Sequence, residues 1–127
     1  MNVALDTNAY SGFMRGDSAR VEIVRTARRL YLPLMVLGEL RAGFAAGNQK
    51  STHAANLQRF LNSPRVSILL PDEQTTHHYA HLSVQLRKRG VAIPTNDPSI
   101  AALLVQHDVI LCPSAAHLDH QPPVVTC

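Results

Sequence analysis

At 127 residues, with 46% hydrophobic and 17% charged residues, the chain has the size of one domain and the composition of a fold with a buried core, which excludes a disordered chain. Twelve Lys and Arg against nine Asp and Glu leave a formal charge of +3, a mild basic excess that permits a polyanionic partner without requiring one. The apolar run Leu30 to Gly38 is far shorter than the roughly 20 residues of a membrane span, the N-terminal Met1 to Asp6 lacks the basic start of a signal peptide, and Cys112 and Cys127 have neither metal-ligand nor disulfide-framework spacing.

No repeat, low-complexity tract or linker divides residues 1–127, so a single domain is expected. Two thiols without a framework suit a reducing cytoplasm, one of them buried near a strand end. Val3-Ala4-Leu5 is a short apolar run ending at Asp6, the pattern of a buried strand. Ser18 is positioned to N-cap a helix carrying Ile23, Ala27 and Leu30 at i, i+4, i+7 spacing. Tyr31 to Leu34 reads as a second strand. Leu37, Leu40 and Phe44 then share a helical face that Gly47 terminates, and another helix runs from Ser51 to Leu61.

Beyond Pro64, Val66, Ile68 and Leu70 alternate as a strand does. Pro71-Asp72-Glu73 opens the longest helix, with Tyr79, Leu82 and Leu86 inward and Gly90 at its end. Asp97-Pro98 starts the next helix, because Pro suits the first helical position. Its stripe is Ile100, Leu103, Leu104 and His107. Val109 to Cys112 is a fourth buried strand, and Val124 to Thr126 a short last one. Short apolar strands alternating with helices predict an α/β protein, a three-layer α/β/α sandwich with a mainly parallel sheet covered on both faces. In such sheets sites form beyond the carboxyl ends of the strands, which directs attention to Asp6.

Three acids stand among largely uncharged neighbours: Asp6, Glu39 and Asp97. Converging carboxylates repel one another unless a cation joins them, and hard oxygen ligands suit Mg²⁺ or Mn²⁺. Each also has an ordinary reading. Asp6 can cap the turn after its strand, Glu39 beside Arg41 can be a surface acid, and Asp97 before Pro98 is a natural N-cap.

Leu5-Asp6-Thr7-Asn8, Val36 to Phe44, Leu86 to Gly90, Ile93 to Asp97 and Ile100-Ala101-Ala102 follow one another in an order and separation that resembles PIN-domain proteins, specifically the VapC ribonuclease toxins of type II toxin–antitoxin systems. The resemblance covers nearly the whole chain. It implies an α/β/α sandwich, an Mg²⁺- or Mn²⁺-dependent RNA-cleaving site, a cognate VapB-like antitoxin covering the acidic pocket, and a homodimer. Asp6, Glu39 and Asp97 match the family's first three acidic positions and would be the catalytic, metal-holding residues. Thr7 and Asn96 match polar neighbours able to orient a ligand or water, or to cap backbone locally.

Two departures bear on catalysis. The family's fourth acidic position aligns with Ala115, whose methyl cannot ligate a metal, and Ser99 stands where a Trp is usual. Ser114, through a water, or Asp119, from four residues downstream, are the available substitutes. The implied nuclease is therefore an attenuated one, and the alternatives are a catalytically degenerate PIN domain that binds RNA or antitoxin, or an unrelated flavodoxin-like interaction domain with the acids as caps.

The remaining motifs have weaker claims. His77 and His81 have the i, i+4 spacing of a metal pair but lack a third ligand nearby, so they read with His78 as a solvated face. His117 and His120 fall in a predicted loop. Arg15-Gly16-Asp17 reads as a turn. Arg25, Arg28, Arg29 and Arg87-Lys88-Arg89 are able to meet RNA phosphate or simply to solvate a helix face. Without the three site acids, six acidic residues face twelve basic ones, so +6 would surround the pocket.

Overall fold

The computed structural model describes residues 1–89 and 97–112. In chain order the elements are β1 (Asn2–Ala4), α1 (Thr7–Met14), α2 (Ser18–Thr26), β2 (Arg29–Pro33), α3 (Leu34–Ala46), α4 (Lys50–Leu61), β3 (Val66–Leu69), α5 (Glu73–Arg89), α6 (Pro98–His107) and β4 (Ile110–Leu111). The four described strands form one parallel sheet in the order β3-β2-β1-β4. Val3 lies opposite Leu30 on one side and Ile110 on the other, so β1 is central. Ala4 and Leu5 are wholly buried beside it, as a strand enclosed on both faces requires.

The chain steps outward from β1 to β2 to β3, then returns across the sheet to β4. With the right-handed crossovers that parallel connections almost always take, this strand order assigns α1 to α4 to one face and α5 and α6 to the other, the three layers the alternating pattern predicts. The reversal of direction falls between β1 and β4. That is the switch point at which open α/β sheets build their sites.

Three devices hold the α1–α2 corner. Gly16 takes φ 85, the left-handed conformation that only glycine adopts readily, and turns the chain at Arg15-Gly16-Asp17. Asp17 caps α2 through the Ala19 N–H and pairs with buried Arg20 at 2.9 Å. Gly12 lets α1 lie directly on that arginine: a Cβ there would sit 2.7 Å from Arg20 Cδ and Nη1.

Several elements differ from their sequence reading, each for a physical reason. Helix α1 is absent from that reading because its inward side is made of Ala9, Tyr10 and Gly12, too small and too mixed to form an apolar stripe. Asp17, not Ser18, caps α2, since its carboxylate also serves Arg20. Helix α2 stops at Thr26, and Leu30 is buried in β2 instead of continuing a helical face. Strand β2 begins at Arg29, two residues early, and β4 is only Ile110–Leu111. Strand β3 ends at Leu69, leaving Leu70 exposed. Tyr79 and His107 face solvent, whereas Leu82 and Leu86 are half-buried.

Helix α6 explains the exposure of its neighbours. Ile100 to Leu104 are all buried, so the helix is enclosed nearly all round and α5 lies outside it. Cys112 is buried at the end of β4, as expected, with its N–H bonded to the Ala4 carbonyl. Among the described residues no helix is long and apolar enough to cross a membrane. Gly90, the expected Val124–Thr126 strand and Cys127 lie outside the described residues.

Candidate functional site

The carboxyl edge of the sheet gathers the acids by topology. Asp6 stands beyond β1, separated from it by Leu5 alone, and is the N-cap of α1; its Oδ1 accepts the Ala9 N–H at 2.7 Å. Asp97 is the N-cap of α6, with Oδ1 accepting the Ser99 N–H at 2.9 Å and Pro98 beginning the helix behind it. The capping reading of both residues is thus correct. For Asp6 it leaves room for a second role, because a carboxylate carries two oxygens and about four lone-pair sites. Glu39 lies in the second turn of α3, which starts where β2 ends, and its side chain is exposed.

Asp6 and Asp97 flank the switch point, one after β1 and one before the helix that feeds β4. Both stand at helix N-termini, where unsatisfied N–H groups favour negative charge. Thr7 is the first residue of α1, and its Oγ1 is buried without a hydrogen-bond partner among the described residues. A buried hydroxyl with no partner is uncommon in a folded protein, and beside Asp6 it is a group left available for a ligand or water.

The donor set is all carboxylate oxygen, the chemistry that suits Mg²⁺ or Mn²⁺. Among the described residues, however, no three His, Cys, Asp or Glu side chains come close enough together to hold a metal. The acids share an edge; their convergence on one ion is a further step. Repulsion between like charges opposes that convergence until a cation is present. Asn96, Ser114, Ala115, Asp119, His117 and His120 lie outside the described residues.

The other motifs resolve toward structure. His77 and His81 are exposed on α5 and His78 is partly so, a solvated face. Arg25 is exposed and pairs with Glu22, whose carboxyl it holds below the ordinary value chiefly through that hydrogen bond. Arg29 bonds Ser67 across the strands.

Sequence reasoning passed over one polar network. Asp72 Oδ1 accepts from Gln106 Nε2 at 2.9 Å and from Thr75, while Thr75 Oγ1 donates to Gln106 Oε1 at 2.6 Å. The Gln106 bond, assisted by Thr75 and the Gln74 N–H, holds the Asp72 carboxyl below its usual range. The network ties the start of α5 to α6. Its only sequence signal is the Asp72-to-Thr75 spacing of a helix cap, since Gln106 is 34 residues from Asp72.

A family model described as the PIN domain matches residues 3–116. No curated protein matches the chain. Among solved structures, VapBC2 from Rickettsia felis, bound to a DNA fragment from its promoter, is similar with a TM-score of 0.73 at 23% identity, over 97% of this chain and 95% of that one. VapBC-1 from nontypeable Haemophilus influenzae gives 0.73 at 25% identity, over 91% and 88% of the two chains. Mycobacterium tuberculosis VapC20, described as a sarcin-ricin loop cleaving toxin, gives 0.57 at 15% identity, over 84% of each.

Proposed function

Because the chain belongs to the PIN domain family, we propose that it is a VapC-type toxin: a cytoplasmic endoribonuclease that hydrolyses RNA phosphodiesters with Mg²⁺ or Mn²⁺ and is neutralised by a cognate VapB-like antitoxin. The observation that carries the reading is the position of Asp6 and Asp97 on either side of the sheet's switch point, with Glu39 following the neighbouring strand. The likeness to VapBC structures supports the antitoxin partner. Residues 1–127 would act as one PIN-like domain.

Asp6, Glu39 and Asp97 are the residues that would hold the ion. When bound, such an ion makes water more acidic and neutralises charge that develops on phosphate. Thr7, with its unpartnered hydroxyl, would orient water or a ligand at the start of α1, and Asn96 would do the same before Asp97. The helix N-termini of α1 and α6 would favour the scissile phosphate electrostatically. A homodimer finds support in exposed Ile68 and Leu70 at edge strand β3 and exposed Leu34 beside it.

A second reading rests on Ala115. With no acid at that position, the chain would be a degenerate PIN domain that binds RNA or antitoxin without cleaving. Ser114 or Asp119 would have to substitute for the missing acid if cleavage persists. One experiment separates the readings: RNA cleavage with added Mn²⁺ by the native chain, Asp6→Asn and Ala115→Asp. Cleavage by the native chain that Asp6→Asn abolishes supports the nuclease. Cleavage by Ala115→Asp alone overturns it in favour of the binding module.

A further inference from the structure

A cavity of about 260 Å³ lies next to the acidic edge, between the starts of α3, α5 and α6. Its walls include Met35, in the first turn of α3 and one turn before Glu39, and Ser99, whose N–H bonds Asp97. Tyr79 of α5 forms a third wall and is 44% exposed, although its helical spacing places it inward. Asp72 lines the same cavity, with the Thr75 N–H and Gln106 Nε2 donating to its Oδ1, which fixes the carboxylate in place. Thr76 Oγ1 also opens on it while donating to the Glu73 carbonyl, which leaves its lone pairs as acceptors.

We propose that this cavity seats one nucleobase of a single-stranded RNA, stacked on Tyr79, with Asp72 accepting a hydrogen bond from the base's exocyclic amine; the assignment rests on the nuclease reading of the adjacent acids. The volume falls below the roughly 300–1,000 Å³ of pockets for drug-sized ligands and suits a single planar base, purine or pyrimidine. An aromatic face beside an apolar thioether is a stacking platform that every base can use. Selectivity then comes from the carboxylate. Adenine, cytosine and guanine carry an amine to donate, whereas uracil presents carbonyl oxygens in its place. Tyr79 accordingly holds the base whatever its identity, and Asp72 is the specificity-determining residue.

The test measures fluorescence anisotropy of labelled oligo(A), oligo(C) and oligo(U) with the native chain in EDTA, where metal-dependent cleavage is silent. Tyr79→Leu should weaken oligo(A) and oligo(C) binding roughly 5- to 100-fold, with Tyr79→Phe within about twofold of native. Asp72→Asn should erase the preference over oligo(U). RNA substituted with 5-iodocytidine, which keeps the exocyclic amine, should crosslink to Tyr79 when irradiated with the native chain, a readout that needs no variant. Equal binding by Tyr79→Leu, crosslinks confined to other residues, or no binding of any oligomer would overturn the pocket. A parallel cleavage assay with Mn²⁺ keeps the two questions apart: binding that depends on Tyr79 without cleavage retains the pocket and removes the nuclease.

Discussion

The two ends of the sheet use charge in opposite ways. At the amino end a charged group is consumed by the fold: Arg65 Nη1 donates to the carbonyls of Val24 and Ala27 at 3.1 and 2.6 Å, tying the end of α2 to the start of β3. At the carboxyl end Asp6 and Asp97 each cap a helix, Glu39 is exposed, and the Thr7 hydroxyl is buried without a partner among the described residues. Tyr10 Oη and Arg20 Nε are also buried without a partner among the described residues, so it is the position of Thr7 beside Asp6 that makes its hydroxyl available to a ligand at this edge. The contrast makes the amino end answerable in stability and the carboxyl end in activity.

The largest effect should come from the carboxyl end. Asp6→Asn is expected to lower metal-dependent RNA cleavage by more than the roughly 10–100-fold that outer groups of a metal site cost. Asn caps helices about as well as Asp, so the melting temperature should hardly move. Asp6→Ala should abolish cleavage equally and also lose about 1 kcal/mol of stability with the Ala9 cap. Measuring both variants by cleavage and by urea unfolding breaks the comparison if Asn costs as much stability as Ala, or if cleavage survives either change.

The next effect belongs to the fold. The Arg20 side chain is 5% exposed and that of its partner Asp17 is 30%. Removing one member of a largely buried pair leaves the other without compensation, so Arg20→Met should cost about 2–3 kcal/mol, near the lower end of the range for buried pairs because Asp17 reaches water. By contrast, Arg25 and Glu22 on the same helix are both well exposed, at 68% and 59%. Arg25→Met should be nearly neutral, as exposed pairs generally are. Urea midpoints decide both, and equal effects would show that burial does not set the value of these pairs.

Much of this contrast was legible in the sequence, and the rest was not for identifiable reasons. The strand core Val3-Ala4-Leu5 read correctly because a central parallel strand buried on both faces demands a short apolar run. The third strand was found from the alternation of Val66, Ile68 and Leu70, but its inward side is reversed: Leu69 is buried, whereas Ile68 and Leu70 are exposed at the sheet's edge. Asp97 read as a cap because Pro98 marks the first helical turn unambiguously. Helix α1 did not, because a helix that packs through Gly12 onto an arginine has no apolar stripe to detect. Tyr79 was read inward from its period alone, yet α6 is already enclosed and α5 is the outer helix of its layer. Local pattern gives the period of a helix; which side is covered depends on partners elsewhere in the chain. The acids were singled out by their apolar settings, but which strands they follow became visible only with the strand order.

The smallest effect tests whether the network between α5 and α6 belongs with the fold, although it lies near the carboxyl edge. The Asp72 carboxyl is held below its ordinary value of 3.8, chiefly by Gln106. A depressed carboxyl contributes stability that is present above the unfolded value and is lost as pH falls through the folded one. The native chain should therefore lose this contribution only below about pH 4. Gln106→Met removes the largest cause of the depression and moves Asp72 back toward 3.8. The melting temperatures of native and variant should accordingly differ most near neutral pH and converge as Asp72 is protonated. Because Asp72 is exposed, the gap should be small. A gap that stays constant from neutral pH into acid would mean that Gln106 acts by packing alone, and the network would then add nothing electrostatic to the edge where the acids stand.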